Sequence, residues 1–183
     1  TYEISDAVIR DIYNPPYGEH ASSLGPVIAR SIANEAGIPA LLVDPPSVDE
    51  LTPLARVSGL KGMERESFFH ALNQKAVARK AAAQLGKTYG EVNLIVAHMG
   101  GGVSIAAHEK GRVADVFNVR DEGSFSLDRG GSLPVSALVN LCYSGIPKQD
   151  VKRRLSFEGG VYSYLGTYDF REVEKRMVAG DEE

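Results

Sequence analysis

The residues with the clearest potential for chemistry lie in the stretch HMGGGVS, at 98–104 of this 183-residue sequence. Gly100, Gly101 and Gly102 follow the strand-forming run NLIVAH and lead directly into a second run, VSIAAH. Two glycines suffice for a tight hairpin turn, whereas three remove every Cβ atom and let another group approach the backbone amides. A nucleotide phosphate is a common ligand of such amides. We therefore predict a phosphate-binding turn at 100–102, with a plain tight turn as the alternative.

Two familiar phosphate loops do not fit this context. A P-loop needs Gly-Lys-Ser/Thr followed by a helix, and the dinucleotide fingerprint needs G-x-G-x-x-G at the start of a helix. Here the glycines lead into a strand. A glycine hairpin between antiparallel strands is instead the phosphate-binding device of the superfamily that contains acetate and sugar kinases, heat-shock chaperones and actin.

Three other side chains are candidates on position alone. His98 lies two residues before the first glycine, so its ring could hydrogen-bond a phosphate held there. Arg129 lies in the glycine-rich loop DEGSFSLDRGGS, and phosphoryl transfer needs positive charge on the moving group. Asp44 ends the apolar run IPALLVD, and open α/β sheets bind ligands at the carboxyl ends of their strands. The alternatives are a solvated arginine and an ordinary turn aspartate.

The elements that must position these residues can be read from the periodicity. We predict helices over 22–36, 67–85 and 134–144 and a final helix REVEKRMVA, a buried strand over 38–44, and three successive strands NLIVAH, VSIAAH and RVADVFN. A serine could cap the first helix, and Gly37 could end it. The segment EKGR predicts a tight turn between the last two strands, and Asp169 with Glu172 predicts a capping box.

The composition excludes several classes of protein. It is that of an ordinary globular protein, with 43% hydrophobic and 24% charged residues. The net charge of −4 disfavours a nucleic-acid partner, no apolar run approaches the ~20 residues of a membrane span, and no signal peptide is recognisable. The single cysteine, Cys142, permits no intramolecular disulfide. We expect a cytoplasmic protein, and the two ends indicate an internal segment of a longer chain.

Six segments follow one another in the order seen in butyrate kinases, a branch of the acetate kinase family. They are GEHASSLG, VDPPSVDEL, FFHALNQKAVARKAA, NLIVAHMGGGVSIAAHEKGRV, DRGGSLP and YLGTYDFREVEKR. The resemblance covers essentially the whole chain. It implies an α/β fold of the ribonuclease H-like kind, with parts of two actin-like ATPase domains flanking a cleft. Residues 1–60 would end the N-terminal domain, and residues 61–183 would begin the C-terminal domain.

The resemblance also implies an activity: ATP and butanoate, or a branched short-chain acid, give ADP and an acyl phosphate reversibly, with Mg²⁺. An acetate- or propionate-type kinase is an alternative, as is a non-catalytic actin-like nucleotide-binding module. The intact protein would be a homo-oligomer, of two subunits or more. The segment alone would have weak or no activity, because part of the nucleotide pocket would be absent.

The same resemblance assigns roles to individual residues. Arg129 would clamp the phosphoryl group, and His70 would stabilise the transition state. Asp44 would act through Mg²⁺ or a water, and His20 would lie on the substrate side. The nucleotide contacts would be His98, Met99, Gly100, Gly101, Gly102, Asp169, Phe170 and Arg171. His70 could instead be a satisfied histidine at a helix start, and Asp169 is also a good helix cap.

One loop departs from the family pattern. The segment RDEGSFSLDR, which leads to Arg129, lacks two prolines that butyrate kinases carry and is one residue shorter. Because proline restricts a loop, its loss leaves the position of Arg129 open.

Overall fold

A computed structural model describes residues 1–15 and 21–181. The chain divides into two compact units, Thr1–Pro45 and Pro46–Glu183. The first unit contains β1 (Tyr2–Glu3), α1 (Asp6–Tyr13), α2 (Leu24–Ala36) and β2 (Leu41–Leu42). The second unit contains α3 (Ala71–Gln84), β3 (Asn93–Met99), β4 (Val103–Glu109), β5 (Arg112–Phe117), α4 (Val135–Cys142), α5 (Lys148–Ser156), α6 (Gly160–Leu165) and α7 (Phe170–Val178). Within the described ranges, no helix is long and apolar enough to cross a bilayer.

The boundary between the units falls between Pro45 and Pro46. The sequence analysis instead predicts a domain boundary between residues 60 and 61. Val48, Leu51 and Ala55 explain the difference, since they belong to the hydrophobic cluster of the second unit. The assignment of 1–60 and 61–183 to two domains stays a prediction.

The first unit is a small α/β arrangement in which β1 and β2 pair antiparallel over two residues each. The prediction of a buried strand over 38–44 is wrong, because only Leu41–Leu42 pair and Leu41 is 57% exposed. An apolar run signals a buried strand only when neighbours cover it. The helix α2 ends at Gly37, whose φ of 67° is the left-handed conformation expected there. The predicted serine cap is wrong, since Ser23 makes no side-chain hydrogen bond to the helix.

The second unit is built on the antiparallel sheet β3-β4-β5, which confirms the three predicted strands. Strands β3 and β4 pair from Asn93↔Glu109 to Met99↔Val103, so the glycines form their connection. The turn between β4 and β5 places Lys110 and Gly111 at φ 45° and 90°, as the EKGR signal requires.

One face of this sheet packs under helix α3. Ala78 and Ala82 are fully buried, because their small side chains let the helix approach closely. The face of β4 that points inward carries Ser104, Ala106 and His108, all almost inaccessible to solvent. The core therefore includes a polar layer directly beneath the candidate site.

The C-terminal helices agree partly with the sequence. Helix α4 lies within the predicted 134–144, and the sequence analysis did not predict α5 and α6. Asp169 caps α7 by accepting from the amide of Arg171 at 2.9 Å. The predicted capping box is wrong, because Glu172 pairs with Arg176 at 2.6 Å while the amide of Asp169 donates to Thr167.

Candidate functional site

The glycine turn is closed by its own backbone. The amide of Gly100 donates to the carbonyl oxygen of Gly102 at 3.1 Å. None of the three glycines adopts a positive φ, so left-handed backbone geometry does not explain them. Since the amide of Gly100 is already used, the turn offers at most the amides of Gly101 and Gly102 to a ligand.

The space around each glycine explains why two of them lack a side chain. A Cβ atom at Gly100 would lie 3.2 Å from Nε2 of His98. One at Gly102 would lie 2.7 Å from Cγ2 of Val119 and 3.1 Å from Nη1 of Arg129. At Gly101 a Cβ would meet nothing within 4 Å. Close packing against neighbouring side chains therefore favours glycine at 100 and 102, whereas Gly101 faces open space.

Arg129 reaches the turn from the glycine-rich loop. Its Nη1 donates to the carbonyl oxygen of Val119 at 3.2 Å, and its side chain stays 32% exposed. The hydroxyl of Ser126 donates to the carbonyl oxygen of Gly101 at 2.6 Å and accepts from the amide of Arg129 at 3.2 Å. Ser126 therefore ties the arginine loop to the glycine turn, a role that the sequence did not reveal.

The loop is held in place without the prolines of the family pattern. The amide of Gly130 donates to Leu155 at 2.8 Å, and the amide of Gly159 donates to Asp128 at 3.0 Å. Gly160 has a φ of 58°, and a Cβ there would lie 2.0 Å from the carbonyl oxygen of Ser126. Backbone contacts with α5 and with the segment that follows it therefore hold the loop that carries Arg129.

His70 and His98 stack face to face beside the turn. Their ring centroids lie 3.7 Å apart, and the ring planes differ by 11°. Burial, followed by the proximity of His98 and Arg129, lowers the pKa of His70 to about 4. His70 is therefore neutral near pH 7 and can form hydrogen bonds without adding a charge beside Arg129.

Within the second unit the structure thus brings together His70, His98, Arg129 and the glycine turn. Backbone amides, a guanidinium and a neutral imidazole form a set of donors that suits a phosphate group. Residues 57–183, which include this entire set, match the model of the Acetokinase family.

The chain belongs to the acetate kinase family. Members of this family are phosphotransferases that act on carboxylates, and they use ATP and ADP. The donors around the glycine turn suit the phosphates of such a nucleotide.

Solved kinases share the fold. An acetate kinase from Porphyromonas gingivalis matches with a TM-score of 0.81 at 24% identity, over 99% of this chain and 49% of that one. A propionate kinase from Francisella tularensis matches with 0.79 at 22% identity, over 98% and 50%. An acetate kinase from Entamoeba histolytica matches with 0.77 at 14% identity, over 97% and 49%. These matches confirm the actin-like α/β fold, and the chain spans about half the length of the kinases it matches.

An ion pair joins two of the three residues at 169–171 for which nucleotide contacts are predicted. Arg171 contacts both carboxylate oxygens of Asp169, with Nε at 2.9 Å and Nη2 at 2.7 Å. The side-chain and backbone hydrogen bonds from Arg171 lower the pKa of Asp169 to about 2. Phe170 and Met99 are exposed. The nucleotide-binding roles of these residues stay predictions.

Two predicted residues lie outside the second unit. Asp44, in the first unit, is half-buried and has a φ of 40°, a conformation that aspartate tolerates better than most residues. Such backbone outliers concentrate at functional sites. His20 lies outside the described residues. The roles of both stay predictions.

The magnesium ion implied by the family resemblance stays a prediction. In the described part of the chain, no three His, Cys, Asp or Glu side chains cluster closely enough to hold a metal by themselves. Mg²⁺ in phosphoryl transfer is generally bound by one or two carboxylates together with phosphate oxygens. An indirect role of Asp44 toward the ion, through a water, stays a prediction.

Proposed function

We propose that the protein containing this chain is a carboxylate kinase that transfers the γ-phosphoryl group of ATP to butanoate, giving ADP and butanoyl phosphate. The observation that carries the proposal is the closeness of Arg129 to the glycine turn, since a Cβ atom added at Gly102 would lie only 3.1 Å from Nη1 of Arg129. The guanidinium that would clamp phosphate charge is therefore close to the turn whose amides would hold the nucleotide.

The chemistry asks little more of the protein than position and charge. The acceptor carboxylate is already ionised at neutral pH, so no strong base is required. Arg129 would neutralise charge on the transferred group, and His70 would donate a hydrogen bond to it. Asp44 would act through Mg²⁺ or a water, and His20 would contact the acid. His98, Met99, the turn glycines and 169–171 would bind the nucleotide.

The preferred acid is the finer part of the proposal. Butanoate is supported by the order of the six sequence segments, whereas the solved neighbours are acetate and propionate kinases. Because one methylene is worth only about 1–3 kcal/mol in an apolar pocket, acetate or propionate is the second candidate. An acyl hydroxamate assay of the intact protein, across acids of increasing chain length, distinguishes them. The highest kcat/KM for butanoate supports our choice, and a maximum at acetate or propionate overturns it.

The arginine clamp is tested by Arg129→Ala in the intact protein. We expect kcat to fall by about 100- to 1,000-fold, as for the loss of a transition-state donor, with the Kd for ATP nearly unchanged. Arg153→Ala is the control, since this exposed arginine pairs with Asp150 on helix α5. Unchanged turnover in Arg129→Ala would contradict the mechanism, and no turnover in the parent protein would favour a non-catalytic nucleotide-binding module.

We also propose that the intact enzyme is a cytoplasmic homo-oligomer and that this chain alone turns over weakly or not at all. The reason for the second expectation is length, since the chain spans about half of the kinases it matches. Size-exclusion chromatography of the intact protein and an activity assay of the chain check these expectations.

A further inference from the structure

A row of hydrogen bonds runs through the polar layer beneath the site and ends at His70. It joins Tyr89, His108, Gln74, Ser104 and His70, with distances along the row of 2.6, 3.1, 2.9 and 2.8 Å. Gln74 and Ser104 are 0% exposed, and His108 is 1% exposed. Buried polar groups are costly unless each donor meets an acceptor. The position of each proton in this row is therefore constrained by its neighbours.

The backbone carbonyl of Ser104 determines which way the side-chain amide of Gln74 points. This oxygen only accepts, and Nε2 of Gln74 lies 2.9 Å from it. The amide nitrogen of Gln74 therefore faces Ser104, and its Oε1 faces Nε2 of His108 at 3.1 Å. His108 must donate through Nε2. Its Nδ1 then accepts from the hydroxyl of Tyr89, because burial lowers the pKa of His108 to about 4 and keeps the ring neutral.

The hydroxyl group of Ser104 links the Gln74 amide to the ring of His70. Its oxygen accepts from Nε2 of Gln74 at 2.9 Å and faces the backbone amide of His70 at 3.4 Å. The single hydroxyl hydrogen is therefore left for Nδ1 of His70, 2.8 Å away. A neutral His70 whose Nδ1 accepts must carry its proton on Nε2.

The opposite tautomer conflicts with the burial of Ser104. If Nδ1 of His70 carried the proton, three N–H groups would point at the hydroxyl oxygen of Ser104. Its own hydrogen would then need another acceptor, although the residue is 0% exposed. An unsatisfied buried donor is unfavourable, so the hydrogen bonds select one tautomer.

We propose that Ser104 and Gln74 are positioning residues that hold His70 in its Nε2–H tautomer, so that it offers a neutral N–H donor to the transferred phosphoryl group. The proposal rests on the proposed function for the identity of the acceptor, whereas the tautomer itself follows from the row of hydrogen bonds. Stacking against His98 and the proximity of Arg129 disfavour a second positive charge at this point. The division of labour is then a permanent cation, Arg129, beside a neutral donor, His70.

The tautomer can be measured directly by ¹⁵N NMR of the imidazole nitrogens in the intact protein near pH 7. We expect Nε2 of His70 to have the shift of a protonated nitrogen and Nδ1 that of an unprotonated one. In Ser104→Ala this preference should be lost, and kcat should fall by about 10- to 100-fold, the range seen when hydrogen-bond partners of metal-binding histidines are removed. Ser104→Thr, which keeps the hydroxyl, should restore both. If the alanine variant does not fold, Ser104→Cys weakens the donor in nearly the same volume.

Tyr89→Phe is the matched control. It removes a donor from the far end of the row while leaving Ser104 and Gln74 in place, so the tautomer of His70 should not change. A proton on Nδ1 in the parent protein, or an unchanged tautomer in Ser104→Ala, would overturn the proposal. If the expected tautomer is found but no acyl phosphate forms with any acid, the proposed function fails while the role of Ser104 and Gln74 in setting the tautomer stands.

Discussion

Replacing Gly102 by alanine should displace Arg129 without altering a charged group. The new Cβ would lie 2.7 Å from Cγ2 of Val119, so this methyl group must retreat by about 0.7 Å to reach an ordinary contact of 3.4 Å. Val119 is held by its amide, which donates to Phe68 at 2.9 Å, and its carbonyl oxygen accepts from Arg129. The strain therefore passes to the guanidinium, whose Nη1 would itself be 3.1 Å from the Cβ.

Such overpacking costs about 1–3 kcal/mol, which lowers the melting temperature by roughly 2–12 °C for a domain of about 150–250 residues. Since a misplacement of about 1 Å can cost about 100-fold in rate, we expect kcat to fall about 10- to 100-fold. Calorimetry and the hydroxamate assay measure both effects. Gly101→Ala is the control for stability, because its Cβ would meet nothing within 4 Å. An unchanged melting temperature and kcat in Gly102→Ala would refute this reasoning.

Three further predictions concern the loop, the last helix and pH. Gly160→Ala should lower the free energy of unfolding, measured in urea, by about 1–3 kcal/mol more than Gly166→Ala does. Both glycines have positive φ, but only a Cβ at 160 would clash, at 2.0 Å from the carbonyl oxygen of Ser126. Equal losses would contradict this contact. Asp169→Ala should cost about 1 kcal/mol in thermal melts while Asp169→Asn keeps the cap, and equal melting temperatures would contradict capping. The pKa of His108 is lowered from 6.5 to about 4 by burial, so the unfolded state binds its proton first and stability falls as the pH drops through that window. His108→Gln should weaken this dependence, and an unchanged slope in urea denaturation would contradict it.

The parts of the fold that could be predicted are those with local signals. The hairpin from β3 to β4 follows from two runs of strand-forming residues around glycines, and α3 follows from its alanines. The run 38–44 failed as a buried strand because burial depends on neighbours that the run itself does not encode. Helices α5 and α6 are short, and backbone hydrogen bonds of Leu155, Val161 and Tyr162 join them to the arginine loop.

The inner face of β4 could not be predicted from alternation. Val103 and Ile105 look like the residues that should face the core, yet Ser104 and His108 do. The reason is Gln74 on α3, which donates to Ser104 and accepts from His108, so both polar side chains are satisfied. Pairing of this kind is visible only in three dimensions.

The site shows the same division. The sequence suggested His98 and Arg129 from their positions beside glycines, and the structure places both at one turn. The sequence did not suggest Ser126, since a serine in a glycine-rich loop has no distinctive spacing. The structure also adds a second reason for the glycines, because two of them leave space for His98 and Arg129.

The affinity of Gly101→Ala for ATP, measured by isothermal titration calorimetry on the intact protein, tests the phosphate-binding turn most directly. A Cβ at Gly101 meets no protein atom within 4 Å and needs no positive φ, so it should leave the fold unchanged. If phosphate approaches the bare amides there, the Kd for ATP should rise by about tenfold or more, which is about 1.4 kcal/mol or more. An unchanged Kd would mean that the nucleotide phosphates bind elsewhere.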